Sequence, residues 1–457
     1  MTKLQIVMFP WFASGHVTPF IHLANEFATK GHRVTILVPK KIQLQHQHLS
    51  LHPPNLIAFS TINVPHVEGL PDGAQSASDI HISLNHLLAT AMDLTRNQVE
   101  TFLRSSKPHL VFYDFAHWIP EITSQMGVKS VYLSVVSAAS LAIALVPARN
   151  LPVNRPLMVE DVRDPPPGYP SSTVVLSGNE ASSLLFLSSP FGDGITFFER
   201  SIAAMKNCDA LCIRTCTELE GPLCDYMGSQ FQKQILLTGP LLPTNAASTT
   251  CLEDRWARWL GRFEPGSTVF CAFGSQIMLD KDQFQELVLG FELTGLPFLV
   301  ALKAPLGCET VEEALPEGFE ERVKGRGVVY GGWVQQPLIL SHPSVGCFVN
   351  HCGFGSMWES LMSDNQIVLV PHLGDQILNT KLLTGELKVA VEVERESENR
   401  WFSKESLSKA VNSVMEKDSK VGIMVRSSHA KWRELLSEPG FISGYIDGFI
   451  KNLEDIS

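Results

Sequence analysis

A chain of 457 residues and 50.5 kDa exceeds what one hydrophobic core usually supports, so two domains are expected. Hydrophobic residues make up 44% and charged residues 18%, with a mean hydropathy of +0.08, which excludes extensive disorder. The 47 acidic residues against 36 basic ones leave a net charge of −11, without the basic surplus of a DNA- or RNA-binding protein.

Membrane insertion is not expected, because no apolar run reaches the length of a spanning helix; Val131–Val146 is interrupted by Ser134, Ser137 and Ser140. Met1–Phe12 has too brief an apolar stretch for a signal peptide, and no Asn-x-Ser/Thr sequon occurs. The nine scattered cysteines read as reduced thiols rather than a disulfide framework, so the expected location is cytoplasmic.

In chain order, short apolar runs rich in β-branched residues alternate with longer amphipathic ones. Strands are predicted over Ile6–Phe9, Val34–Val38, Leu110–Tyr113 and Lys129–Leu133, then over Val269–Ala272, Phe298–Ala301, Val328–Tyr330, Gly346–Val349 and Ile367–Val370. Runs apolar on both faces and separated by helices indicate an α/β fold with covered parallel sheets. After the first strand, Thr18 can cap a helix with Pro19 at its first position, an inner face of Phe20, Leu23, Ala24 and Phe27, and Gly31 as its stop. Asp280 can cap another, with Phe284, Leu287, Val288 and Phe291 facing inward and Gly295 ending it. The stretch from about Asp161 to Pro190, with Pro165-Pro166-Pro167-Gly168, reads as a long loop, either a lid or part of a variable binding surface. Gly239–Gly266 reads as the linker between two α/β domains, and Ile442–Leu453 as a short helix with Ile446, Phe449, Ile450 and Leu453 on one side.

In open parallel sheets, ligands bind outside the carboxyl ends of the strands. No Gly-x-Gly-x-x-Gly follows Phe9, which counts against a nicotinamide enzyme. His16 and Asp114 each follow a predicted strand and can meet there. An aspartate that accepts from one imidazole nitrogen fixes the tautomer and makes the other a general base for a hydroxyl. A helix-start histidine and a strand-end capping carboxylate are the alternatives.

Trp333, beyond the strand ending at Tyr330, can lie flat on a nucleobase or pack as a core indole. Asn350-His351-Cys352-Gly353-Phe354-Gly355-Ser356 opens a helix after a buried strand, where free N–H groups and the helix dipole favour a phosphate. His351 and Ser356 add side-chain donors, and Glu359 one turn later can accept from vicinal hydroxyls; a plain N-cap for Ser356 and a solvated helix position for Glu359 are the alternatives. Asp375 and Gln376, after the last predicted strand, suit a polyhydroxylated ligand or an Asx-type turn. Asp280-Lys281-Asp282 reads as the acidic first turn of a helix rather than a metal motif, and Cys208, Cys212 and Cys216 lie across a strand-like segment without the paired spacing of a zinc site.

The anchors Trp333, Gln336, His351-Cys352-Gly353, Ser356, Glu359 and Asp375-Gln376 make this span closely resemble the signature box of plant UDP-dependent glycosyltransferases of family 1. Phe9–His16, Leu110–Phe115 and Cys208–Gly221 resemble the branch that lengthens sugar chains on flavonoid and anthocyanin 3-O-glucosides, such as the 2″-O-glycosyltransferases. The resemblance implies two Rossmann-like parallel-sheet domains facing across a cleft, the GT-B type. An N-terminal acceptor-binding domain would span 1–240 plus a returning helix at 441–457, and a donor-binding domain 241–440.

It further implies His16 as base oriented by Asp114, Trp333 stacked on uracil, and Gln336 and Glu359 on the ribose. His351 and Ser356 would bind the diphosphate at the turn of Gly353, Phe354 and Gly355, Asp375 and Gln376 would bind the sugar, and Ser275 would lie near the phosphates. Phe354-Gly355 replaces the family's more usual Trp-Asn, removing one amide contact while leaving the backbone N–H groups more open. The implied reaction is inverting transfer from a UDP-sugar, most simply UDP-glucose given Gln376, to a sugar hydroxyl of a flavonoid or anthocyanin glycoside. The expected protein is a monomer without cofactor or metal. First glycosylation of an aglycone and non-catalytic UDP-sugar binding are the alternatives.

Overall fold

The computed structural model describes all residues but 1–2, 153–154, 193, 243–250, 275, 397–399 and 457. The chain divides into two compact units, one of Met1–Ser171, Leu176–Thr244 and Pro439–Ser457, the other of Ser172–Val175 and Asn245–Glu438.

In the first unit β1 (Gln5–Phe9), β2 (Arg33–Pro39), β3 (Ile57–Ile62), β4 (Leu110–Tyr113), β5 (Lys129–Ser134), β6 (Ala210–Ile213) and β7 (Ile235–Leu237) form a sheet in the order β3-β2-β1-β4-β5-β6-β7. The second unit arranges β8 (Thr268–Ala272), β9 (Phe298–Ala301), β10 (Gly327–Tyr330), β11 (Val345–Asn350), β12 (Gln366–Leu369) and β13 (Ala390–Glu392) as β10-β9-β8-β11-β12-β13. Every strand pairing is parallel. Central strands are buried along their whole length, as in β4 and β8, which is why they read as unbroken apolar runs. In each sheet the direction of growth reverses beside the first strand, between β1 and β4 and between β8 and β11. Connections diverge at such a reversal and leave a crevice at the carboxyl ends.

The strands that escape the sequence reading are mostly edges. β3, β7 and β13 each close one side of a sheet and are half-exposed or only three residues long, so they lack a continuous apolar run. The helix after β1 starts earlier than Thr18: it spans Ser14–Thr29 with Ala13 as N-cap, and Pro19 lies inside it. Val17 donates to the Ala13 carbonyl at 2.9 Å, closing the first turn ahead of the proline. Neither irregular stretch is wholly loop. The first holds a helix at Val159–Val162 and a 3-10 segment at Gly178–Ser188, and the supposed linker holds the helix Asp254–Leu260, anchored by buried Trp256 and Leu260. The helix Lys281–Thr294 agrees with expectation, with Asp280 as N-cap and Gly295 as C-cap.

No helix among the described residues is long and apolar enough to cross a membrane. The last helix, Phe441–Ile456, buries Ile446, Phe449, Ile450 and Leu453. Phe449 packs 6.1 Å from the Phe27 ring and 6.3 Å from that of Phe112. The Tyr445 hydroxyl donates to Glu218 at 2.6 Å and accepts from the Thr217 N–H at 2.8 Å, and Lys30 pairs with Asp447. The C-terminal helix is thus part of the first unit's core. Truncating a buried phenylalanine typically costs about 3 kcal/mol, so Phe449→Ala should lower the urea midpoint accordingly; an unchanged midpoint would show that the helix does not seal this core.

Candidate active site

β1 and β4 are neighbours with Phe9 opposite Tyr113, so the residues that follow them leave the sheet side by side. Asp114 comes directly after β4, and His16 sits in the first turn of the helix Ser14–Thr29. His16 Nδ1 lies 2.7 Å from Asp114 Oδ2. The other oxygen, Oδ1, accepts the N–H of Trp11 at 2.8 Å and of Phe115 at 2.6 Å. Asp114 is buried while the His16 side chain keeps 20% exposure. An ionised carboxylate only accepts, so Nδ1 carries the proton and Nε2 of the neutral ring is the basic nitrogen. The Phe115 ring flanks the imidazole at 5.5 Å.

In the second unit the corresponding reversal lies between β8 and β11. His351 follows β11, and Cys352 after it takes a left-handed backbone conformation, φ +58°. Two amides absorb that strain: Asn350 Oδ1 accepts the Cys352 N–H at 2.8 Å, and Asn379 Nδ2 donates to the Cys352 carbonyl at 2.9 Å. Gly353 then caps the helix Phe354–Met362. A Cβ on Gly353 would stand 2.6 Å from His351 Nε2, so only glycine lets this turn close over the imidazole. The Phe354 side chain is buried against Trp358, 6.0 Å between rings, and its backbone lies at the helix start. Gly355 is exposed and Ser356 half-buried. First-turn N–H groups have no intrahelical acceptor, so this is a ready anion site.

Gln336 opens the helix Gln336–Leu340 and donates through Nε2 to Glu359, which joins the two expected ribose ligands. Trp333 is 71% exposed, an indole face available for stacking rather than a core residue. Asp375 lies half-buried in the first turn of the helix Gly374–Lys381. Gln376 is buried, and its Oε1 accepts from His372 N–H at 2.9 Å and Leu373 N–H at 3.1 Å. Two donors on that oxygen fix the amide orientation, leaving Nε2 as the side chain's remaining donor. Ser275 lies outside the described residues. Sequence reasoning passed over Asn350 and Asn379; Asn350 stood beside the histidine, but its role depends on a backbone angle that no local pattern encodes. Among the described residues, no group of three or more His, Cys, Asp or Glu side chains could hold a metal ion.

Residues 318–435 match the family described as UDP-glucoronosyl and UDP-glucosyl transferase. Over 455 residues, all of this chain and 98% of the relative, the sequence is 58% identical to UDP-glycosyltransferase 79B6 of Arabidopsis thaliana. The chain belongs to the plant family 1 UDP-glycosyltransferases. It is also 56% identical, over 100% of its length and 97% of the relative, to the anthocyanidin 3-O-glucoside 2'''-O-xylosyltransferase of the same plant. The fold is shared with Arabidopsis thaliana UGT89C1 complexed with UDP-L-rhamnose (TM-score 0.77, 22% identity, 99% of this chain and 100% of that one). It is shared equally with Glycyrrhiza uralensis UGT73P12 complexed with glycyrrhetinic acid 3-O-monoglucuronide (TM-score 0.80, 20% identity, 100% and 96%).

Several histidines of this glycosyltransferase are held neutral. Burial pushes His351 down to about 4, offset in part by the Ala272 carbonyl, and burial with the Arg395 charge pushes His372 to about 3. His22 falls to about 4 by burial and Arg214, and His117 to about 4 by burial and Arg200. A group whose folded pKa is depressed binds more protons unfolded, so this stability is present above pH 6.5 and lost as the pH falls towards 4. Each such histidine contributes at most about 1.4 kcal/mol per pH unit in that window. The urea midpoint should therefore decline steadily from pH 6.5 to 4.5, and less steeply in His351→Asn; a flat midpoint would contradict the neutral assignments.

Proposed function

We propose that the protein transfers glucose from UDP-glucose, with inversion, to a hydroxyl on the sugar of a flavonoid or anthocyanin 3-O-glycoside. The observation that carries this reading is the His16–Asp114 pair at the crevice of the first sheet. Asp114 holds Nδ1–H, so Nε2 takes the proton from an acceptor hydroxyl as its oxygen attacks C1 of the α-linked donor sugar. The C1–O bond to the diphosphate breaks with its electron pair going to UDP, and the β-glycoside forms. Asp114 then stabilises the imidazolium until its proton passes to solvent.

On the donor side, Trp333 covers the uracil, and the Gln336–Glu359 pair presents an acceptor array to the ribose hydroxyls. Ser356 and the N–H groups of residues 354–356 meet the negative charge that grows on the leaving diphosphate. His351 contributes hydrogen bonding rather than charge, because its ring is neutral. This reading uses no metal ion, so activity should survive EDTA. Asp375 and the Gln376 amide hold the sugar hydroxyls. UDP-xylose is the second donor reading, favoured by the xylosyltransferase name of the 56% identical relative.

His16→Ala should lower kcat by about a thousandfold while UDP affinity stays within about twofold; equal loss of both in a folded variant would remove His16 as base. Gln376→Glu keeps the two backbone bonds but loses the amide donor. It should weaken UDP-sugar binding about tenfold and UDP binding much less; an equal loss for UDP would displace Gln376 from the sugar. A panel of UDP-glucose, UDP-xylose and UDP-rhamnose crossed with cyanidin and cyanidin 3-O-glucoside assigns donor and acceptor, and preference for the free aglycone would overturn the acceptor assignment.

A further inference from the structure

Behind the His16 crevice lies a buried ion pair that the mechanism does not use. Arg200, on the helix Phe197–Asn207, has no exposed side-chain surface. Its guanidinium donates to Asp93 Oδ1 at 2.6 Å from Nη2 and 2.9 Å from Nη1, and to His117 Nδ1 at 3.0 Å. The neutrality of His117 is what lets that nitrogen accept. Trp118 Nε1 donates to Asp93 Oδ1 at 2.9 Å. Asp93 is the last residue of the helix Asn85–Asp93, where the helix dipole disfavours a carboxylate, so the arginine is its necessary partner. Burying such a pair rarely adds net stability, which points to a role in placement.

What the pair places is visible above it. Pro190 and Thr196 form an antiparallel bridge, and the Phe191 N–H donates to the Ile195 carbonyl at 2.9 Å. Gly192, at φ +96°, closes directly over the pair: a Cβ there would stand 2.5 Å from Asp93 Oδ2 and 2.9 Å from Arg200 Nη2. Arg200 also lies 5.8 Å from the Phe191 ring centroid. Phe191 in turn packs 5.4 Å from Phe115 and 5.6 Å from Trp11, and Phe115 is the ring that flanks His16. Phe115 and Phe191 remain half-buried, so ring surface is left for a ligand.

We propose that the Arg200–Asp93 pair and Gly192 form a positioning element that sets Phe191 against Phe115, and that these two rings grip the planar aromatic part of the acceptor beside His16. The inference rests on the reading of His16 as the acceptor-side base. Arg200 touches no substrate; it acts through the turn and Phe191.

The test compares Gly192→Ala, Phe191→Leu and the double variant, using cyanidin 3-O-glucoside and UDP-glucose. Either single change should raise the acceptor KM about fivefold to tenfold. The KM for UDP-glucose and the pH profile of kcat should stay unchanged, and the double variant should be no worse than the worse single one, because Gly192 acts through Phe191. Additive effects, or equal rises in both KM values, would overturn the proposal. Arg200→Ala removes one partner of a buried pair and is expected to unfold the unit, so the glycine variant carries the test. Failure of the base assignment shows separately, as transfer that persists in His16→Ala.

Discussion

A single carboxylate held at the reversal of a parallel sheet organises the proposed catalytic site of the first unit. Asp114 spends one oxygen on two backbone N–H groups, those of Trp11 and Phe115, and the other on His16 Nδ1. The first two bonds fix the carboxylate to the loop after β1 and to its own strand end. The third transfers that fixity to an imidazole whose helix belongs to the opposite side of the crevice. Neither residue has this meaning without the β1–β4 register, which brings two distant stretches of chain to one sheet edge. Tautomer and orientation of the imidazole, and the counter-charge that the proposed mechanism requires, all follow from the one contact.

The second unit repeats the topology with different chemistry at the reversal. There the strained Cys352 turn, braced by Asn350 and Asn379, delivers a helix N-terminus instead of a carboxylate, and so presents hydrogen-bond donors. Equivalent positions in two related sheets thus carry opposite polarity: a proton acceptor in one and an anion site in the other. The proposed reaction would use both, one for the incoming hydroxyl and one for the departing diphosphate.

Much of this was legible in the amino-acid order because central parallel strands announce themselves as apolar runs and the residues that follow them inherit a position at the carboxyl edge. His16, Asp114, His351, Ser356 and Gln376 could be placed on that ground alone. Edge strands were less legible, since β3, β7 and β13 are half-exposed or very short. The start of the first helix was misplaced because Pro19 looks like a beginning, whereas the turn is closed earlier, at Ala13. The bracing amides and the Asp93–Arg200 pair depend on contacts across long stretches of sequence, and no spacing rule reports those. The position of His351 marked it as a side-chain donor for a phosphate, but that its ring is held neutral follows only from its burial.

The central claim concerns which imidazole nitrogen carries the proton. Nitrogen-15 NMR of the histidine-labelled protein at pH 8, with His16→Asn used to assign the resonance, reads this directly. The account predicts that His16 shows a protonated Nδ1 with a strongly hydrogen-bonded proton and a bare Nε2, and that Asp114→Asn abolishes the preference. An Nε2–H tautomer in the otherwise unaltered protein would contradict it.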